Sequence, residues 1–371
     1  MNASPRRIMY MALELSNQEW KLAFTVPGGR VRLRTMAARQ LSRLQAEIAV
    51  AKEKLGLPPE ARVRSCYEAG RDGFWIHRWL VQQGVENLVV DSSSIEVNRR
   101  SRRAKTDRLD AQSLAGRLVR YWEDTTEGKK WSVVRVPEEA DEDARRTRRE
   151  TERLTEEQTG HLARIRSLLA LHGVVVKRIK RAVVLGAKDW AGRDLPAALR
   201  AELARELDRL EIVREQLDTL EKAQMDVLRK PTTAGSKAAA KLAQLKSLGV
   251  ATALTLGNEF FGWRNFQNRR QVGACAGLTG TPYDSGGQRR EQGINKAGNR
   301  RVRRLMVEQA WRWLHWQPQS ALTQWFRERF GAGGRRVRRI GIVALARKLL
   351  VAFWKYVAFD SVPVGAVLKS A

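Results

Sequence analysis

The chain has 371 residues and carries 69 Lys and Arg against 40 Asp and Glu, which gives a formal net charge of +29. Because 43% of the residues are hydrophobic and 12 are tryptophan, the composition excludes a disordered basic tail and predicts a folded protein that meets nucleic acid. The two cysteines have neither zinc-site nor disulfide spacing, and no signal peptide or membrane span is recognisable, which predicts a cytoplasmic, nucleoid-associated protein.

The first part of the chain predicts a mixed α/β domain over residues 5–135. Short extended runs between Ile8 and Arg34 are separated by polar turns, as in an antiparallel meander. A helix, a strand ending at Glu68, a helix, a strand and a final helix over residues 105–121 follow. This order favours a ribonuclease-H-like, RuvC-like sheet, although periodicity alone is also compatible with other mixed folds.

The middle of the chain, residues 140–230, predicts long helices. Leu203, Leu210 and Leu217 recur every seven residues, which is typical of a short coiled coil. An earlier helical arm over about residues 144–172 could pair with this segment as a hairpin. We therefore expect the leucine stripe to be a packing or dimerisation seam.

The last part, residues 235–371, predicts a mostly helical domain behind a linker at 231–241. Residues 245–257 are compatible with a helix-hairpin-helix that grips a DNA backbone, or with a plain pair of packed helices. The final apolar run is expected to be a buried helix. Four tryptophans are expected in the core rather than as platforms for bases, namely Trp311, Trp313, Trp316 and Trp325.

Acidic residues stand at the ends of predicted elements in the first domain. Glu14 and Glu68 end strands, and Asp107 and Asp110 share one face at the start of a helix. If these positions converge at one sheet edge, their carboxylates would hold Mg²⁺ and activate a nucleophile. The alternative is structural: Asp107 would cap the helix, Asp110 would favour its dipole, and Glu68 would pair with an arginine.

A serine and a dense basic run mark the last domain. Ser285 precedes a glycine pair, and residues 289–348 carry 16 Lys and Arg against three acids. Serine can attack phosphorus while arginines hold phosphate oxygens. The alternative is an ordinary turn residue beside a solvated basic face, but a net charge of +13 would repel itself without an anionic partner.

Basic residues near both candidate centres are expected to hold nucleic-acid phosphates. Asn299 is predicted to cap a helix whose first turns are rich in arginine. The expected contacts are Arg102, Arg103, Lys105, Arg289, Arg290, Lys296, Asn299, Arg300, Arg301, Arg303 and Arg304.

Taken in order, several motifs resemble the DEDD transposases of bacterial insertion sequences, whose studied members are bridge-RNA-guided serine recombinases. The resemblance covers nearly the whole chain and rests on MALELS, YEAGRDGFWIHRWL, KTDRLDAQSLA, FQNRRQVGACAGLTGTPYDSGG, REQGINKAGNRRVRRLMVEQA and ALARKLLVAFWKY. Two positions depart from the family pattern. Glu14 replaces the usual aspartate, and Gly280 replaces the usual proline.

The resemblance implies roles for particular residues. Glu14, Glu68, Asp107 and Asp110 would be the Mg²⁺ ligands of a RuvC-like domain, and Ser285 the nucleophile. It also implies a homo-oligomer, a dimer or a tetramer, whose subunits share a composite site. The implied partners are double-stranded donor and target DNA and a structured guide RNA.

These features of the sequence are compatible with three functions. The first is a DNA transposase that cuts and rejoins strands through a phosphoserine intermediate. The second is a metal-dependent nuclease or junction resolvase in which water attacks and Ser285 is structural. The third is a non-catalytic nucleic-acid-binding protein.

Overall fold

The computed structural model separates into two compact units, Met1–Val136 and Pro137–Ala371. The structure describes residues 8–70, 73–91, 107–123, 132–285 and 288–369, without the side chains of residues 107–109 and 282–292. None of the helices in this described part is long and apolar enough to cross a membrane.

The N-terminal unit is built on a five-stranded sheet of order β3-β2-β1-β4-β5. Its strands are β1 (Met9–Leu15), β2 (Glu19–Thr25), β3 (Arg32–Ala37), β4 (Val63–Glu68) and β5 (Glu86–Val90). The first three strands form an antiparallel meander, whereas β4 runs parallel to β1 and β5 parallel to β4. The sheet is therefore mixed, and the strands and helices follow one another in the predicted order.

Helices cover both faces of this sheet. They are α1 (Leu41–Lys54), α2 (Trp75–Gln82) and α3 (Asp107–Glu123). Odd-numbered residues of β1, such as Met11 and Leu13, share a core with α1 and α2. Even-numbered residues, such as Tyr10 and Ala12, share a second core with α3. Successive strand residues point to opposite faces, so the apolar run of β1 is buried on both sides.

The C-terminal unit begins with a helical hairpin. Its helices are α4 (Glu139–Asp143), α5 (Arg146–Ala170), α6 (Arg181–Leu185) and α7 (Ala197–Arg229). Leu203 and Leu210 are buried in one cluster with Ile165 of α5, and Leu217 packs with Leu154. The predicted hairpin is confirmed, because α5 of the same chain covers the leucine stripe from Leu203 to Leu217.

The rest of the unit is a helical core with one β-hairpin. Its elements are α8 (Ala234–Ala243), α9 (Val250–Leu256), a π-helical turn (Gly257–Phe261), α10 (Arg269–Cys275), β6 (Gly280–Ser285), β7 (Gln288–Ile294), α11 (Arg300–Trp316), α12 (Ala321–Phe330) and α13 (Arg335–Phe359). The apolar side of α11 meets α13, where Trp313 lies 5.5 Å from Phe353 between ring centroids. The apolar run of the final helix is largely buried from Gly341 onward, as predicted, with Arg347 and Lys348 exposed.

Two predictions for this unit are wrong. Residues 231–241 are not a linker: Thr233 and Ser236 form a capping box that starts α8, and Ala238 and Ala239 are buried. Small alanines allow close packing but carry little periodic signal, so the helix resembled a linker. Trp311 and Trp316 are not core residues, since they are 45% and 49% exposed, whereas Trp313 is fully buried.

Candidate catalytic and nucleic-acid-binding sites

Two of the four predicted metal ligands lie side by side on the sheet. Strands β1 and β4 pair in parallel with Leu13 opposite Tyr67, so the next positions, Glu14 and Glu68, are neighbours. Side-chain alternation puts both on the face of Ala12, which is the face covered by α3. Each acid lies at or next to the carboxyl end of its strand.

The direction of α3 brings its first turn towards the same place. The Tyr10 hydroxyl, near the start of β1, donates a hydrogen bond to Glu123 at the end of α3. The Arg64 guanidinium of β4 lies 4.0 Å from the centroid of the Trp122 ring. Helix α3 is therefore antiparallel to β1 and β4, and it begins towards their carboxyl ends.

The backbone thus directs the first turn of α3 towards the end of the sheet face that carries Glu14 and Glu68. Asp107 and Asp110 occupy the first turn of α3, and the side chain of Asp107 is outside the described set. Among the described side chains, which include those of Glu14, Glu68 and Asp110, no three acids, histidines or cysteines are close enough to hold a metal ion. The donor set is nevertheless purely carboxylate, which is the chemistry that fits Mg²⁺.

Ser285 ends β6, one strand of the hairpin in the C-terminal unit. It pairs with Gln288 of β7, so the connection consists of residues 286 and 287, which the structure does not describe. The hairpin is anchored where its strands meet the helices: the Asn295 amide donates to the Thr279 carbonyl at 2.9 Å, and the Asn299 amide donates to the Cys275 carbonyl at 2.8 Å. Ser285 therefore lies at the far end of a ribbon held by its base.

Two glycines permit this anchoring. Gly277 and Gly298 have φ angles of +66° and +95°, which favour glycine. A Cβ atom at Gly277 would collide with the Ala297 carbonyl, and one at Gly298 with the Cys275 carbonyl. Both positions are thus restricted to glycine by conformation and by space.

Three of the arginines of α11 have intramolecular partners. Asn299 caps the helix as predicted, since its side-chain oxygen accepts from the Val302 amide at 3.1 Å. Arg301 pairs with Glu152 and Glu259, Arg303 donates to the Ala276 carbonyl, and Arg304 pairs with Glu308. Arg300 and Lys296 are exposed. The structure thus gives Arg301 a role in packing α11 that the sequence did not predict.

Glu259 is the centre of this packing. It lies in the π-helical turn, is 3% exposed, and accepts two hydrogen bonds from Arg149 of α5 at 2.6 and 2.9 Å. Burial opposes ionisation, but the bonds and positive charge of Arg149, helped by Arg145 and Arg301, hold the pKa of Glu259 below its usual value. An ionised carboxylate therefore links α5 to α11.

Five other residues predicted to contact nucleic acid have side chains that the structure does not describe. Arg102, Arg103 and Lys105 lie outside the described residues altogether. Arg289 and Arg290 lie on β7, opposite Asp284 and Tyr283 in the hairpin register.

The sequence did not predict a basic cleft of about 1010 Å³ in the C-terminal unit. Helices α10, α12 and α13 border it together with the base of the β6–β7 hairpin. Its cations are Arg269, Arg270, Lys296, Arg336, Arg339, Arg347, Lys348 and Lys355. Only Lys296 was among the expected contacts, because the fold has to bring α10 and α13 together before the cluster exists. The i, i+3, i+4 spacing of basic residues on α13 was the available signal.

Comparison with known proteins identifies relatives of this chain. Residues 239–325, which include Ser285, match the family model described as "Transposase IS116/IS110/IS902 family". The chain is 40% identical over 385 aligned residues to "Putative transposase y4rJ" of Sinorhizobium fredii (strain NBRC 101917 / NGR234), covering 98% of this chain and 95% of the relative.

Two further relatives match less of the chain. "Putative transposase y4qE" of the same organism is 28% identical over 246 residues, 66% of this chain and 57% of its own length. "Transposase for insertion sequence element IS1328" of Yersinia enterocolitica is 30% identical over 94 residues, 25% of this chain and 27% of its own length. Because the first relationship spans nearly the whole of both chains, this protein belongs to the IS116/IS110/IS902 family of insertion-sequence transposases.

Proposed function

We propose that this transposase cuts and rejoins DNA strands through a phosphoserine intermediate at Ser285, with Mg²⁺ held by Glu14, Glu68, Asp107 and Asp110. The observation that carries the proposal is the position of Ser285, at the end of an anchored hairpin inside the segment that matches the family model. A nucleophile must be held firmly against one phosphate of the DNA backbone, and a hairpin anchored at its base suits that task.

The chemistry replaces each P–O ester bond that breaks with a new one, so no bond energy is lost. The Ser285 oxygen attacks the scissile phosphorus, a new P–O bond forms, and the bond to the leaving sugar oxygen breaks. The serine proton passes to a carboxylate, and the leaving oxygen takes up a proton. Attack by a sugar hydroxyl of another strand then releases the serine and joins the strands without ATP. Bound Mg²⁺ would stabilise the charge that develops on the phosphate oxygens.

The acids and the serine belong to different units of the chain. The family resemblance supports a composite site in a homo-oligomer, a dimer or a tetramer, in which one subunit supplies the serine and another the acids. It equally supports a ribonuclease-H-like fold for the N-terminal unit, and the order of its strands agrees with that fold.

We also propose that a structured RNA selects donor and target DNA by base pairing. The support is the family resemblance together with the net charge of +29, which suits a protein that holds two kinds of nucleic acid. In such systems the protein binds backbone and shape, and base pairing determines the sequence.

The test is a denaturing gel for a covalent protein–DNA adduct. We expect the wild-type chain to form the adduct only with Mg²⁺, Ser285→Ala to form none, and the matched control Thr281→Ala on the same strand to form it normally. Cleavage that persists in Ser285→Ala would instead identify a nuclease that uses water. Absence of adduct and cleavage in the wild type with its RNA and DNA would indicate a binding protein.

A further inference from the structure

We propose that the basic cleft binds an unpaired stretch of the DNA strand that leads to the scissile phosphate. Cations would hold the strand's phosphates, and an apolar floor would receive its bases. The identification of the strand as DNA rests on the proposed function, whereas the binding of an unpaired strand rests on the cleft alone.

The charges of the cleft favour an anionic occupant. Eight Lys and Arg line it, and no Asp or Glu is found among the described lining residues. In the described part of the chain, none of these eight cations forms an ion pair with a carboxylate. So many like charges around one cleft repel one another unless an anion lies between them.

The length of the cleft favours a polymer over a small anion. Its basic residues on α13 extend from Arg336 to Lys355, which corresponds to about 28 Å along the helix axis. Arg269 and Arg270 of α10 add cations from another element. A single phosphate could use only a fraction of this array, whereas consecutive phosphates of one strand could use all of it.

The floor of the cleft favours unpaired bases. It is apolar and is formed by Leu278, Ile294, Leu322, Trp325, Ile340, Val343 and Val351. Ile340 is 59% exposed, and the Lys348 ammonium lies 4.5 Å from the centroid of the half-buried Trp325 ring. A duplex hides its base faces within its stack and would leave this floor uncovered. An unpaired strand has free base faces that apolar and aromatic surfaces can accept.

The cleft also borders the proposed nucleophile's hairpin. Gly280 and Gly293, at the base of β6 and β7, are among its lining residues. From Gly280 to Ser285 the strand extends about 17 Å. A strand seated in the cleft can therefore continue along the ribbon towards Ser285, which favours DNA as its source.

The experiment measures binding of a short fluorescent single-stranded DNA to the full chain by anisotropy, at several salt concentrations. Arg336→Ala/Arg339→Ala removes two cations of the cleft. The matched control Arg335→Ala/Arg338→Ala removes the same charge from exposed residues of the same helical turns that do not line the cleft. We expect about tenfold weaker binding only in the first variant, with a salt slope lower by about 1.4, or about 0.7 per lost phosphate contact.

A second pair of variants tests the floor. Ile340→Ser should weaken binding of single-stranded DNA several-fold, and Val337→Ser, on the same helix outside the cleft, should not. Equal losses in the cleft and control variants of both pairs would overturn the proposal. If the protein binds the duplex of the same sequence more tightly, the proposal that the cleft holds an unpaired strand is wrong. If it clearly prefers the matching RNA, the assignment of the strand as DNA is wrong.

The outcome is separable from that of the proposed function. An adduct that needs Ser285, together with equal binding by both arginine variants, would leave the phosphoserine mechanism standing and remove the cleft proposal. If only the cleft variants lose binding of single-stranded DNA, and the wild type forms no adduct, the cleft proposal is supported and the proposed serine chemistry is wrong.

Discussion

Asp110 is the acid of the first turn of α3 whose side chain is described, and it is half-buried. Its helix approaches the carboxyl ends of β1 and β4, where Glu14 and Glu68 are neighbours. In the proposed site its charge, rather than its size, would hold the metal ion. Substitution by the isosteric amide therefore separates a metal ligand from a residue that merely favours the helix dipole.

We expect Asp110→Asn to lower Mg²⁺-dependent adduct formation by about 100-fold or more, because metal assistance contributes several kcal/mol to such reactions. The measurement is the initial rate of adduct formation across a Mg²⁺ titration. Glu53→Gln removes an equal charge from the exposed side of α1 and should leave the rate unchanged. If Asp110→Asn keeps the wild-type rate at every Mg²⁺ concentration, Asp110 is a structural residue of the helix start.

Glu14 stands where the family resemblance leads one to expect aspartate. Its side chain is longer by one methylene, and metal sites tolerate little displacement of a ligand oxygen. The register fixes only the backbone position of Glu14 beside Glu68. In the proposed site, the sheet sets the backbone position of Glu14, and the reach of its side chain would determine how well it binds metal.

At the scale of elements, α11 shows how a predicted contact acquires a structural role. Asn299 was expected both to cap the helix and to contact nucleic acid, and its described bond is the cap. We expect Asn299→Ala to lower the free energy of unfolding of the C-terminal unit by about 1 kcal/mol, whereas Asn299→Asp should keep it, because both amide and carboxylate oxygens cap well. Urea denaturation followed by circular dichroism measures both values. Equal losses in the two variants would show that capping is not what Asn299 contributes.

Elements with a local signal were predictable. The meander and the helices that follow it emerge from strand alternation and helical spacing, and the cap that begins α11 at Asn299 was predicted. The helix α8 was missed because its alanines carry no strong period. The hairpin around Ser285 appeared only as a turn, since pairing of β6 with β7 depends on partners rather than on either strand alone.

The candidate sites also differ in how far the sequence alone could predict them. Convergence of Glu14 and Glu68 could be predicted, because parallel strands bring their carboxyl ends to one edge. The basic cleft could not be predicted, because Arg269 and Lys355 lie far apart in the sequence and line one cleft only after α10 packs on α13. Likewise, no pattern in the sequence pairs Arg301 with the buried Glu259.

For the whole molecule, the division into two units separates the proposed metal ligands from the proposed nucleophile. The N-terminal unit holds the acids, and the C-terminal unit holds the serine hairpin and the basic cleft. Each unit has its own hydrophobic clusters, on both faces of the sheet in the N-terminal unit and around α11 and α13 and within the helical hairpin in the C-terminal unit. Separate cores allow each unit to be stable without a fixed contribution from the other.

Substitutions in the two cores test this independence. Leu13 and Phe353 are both fully buried, each in a different unit. We expect Leu13→Ala to lower the melting temperature of the N-terminal unit alone and Phe353→Ala that of the C-terminal unit alone, because such truncations cost about 2–5 kcal/mol. Each shift should amount to about 10 °C, and scanning calorimetry of the full chain measures both transitions. A single transition that moves equally with either substitution would mean that the chain unfolds as one cooperative body.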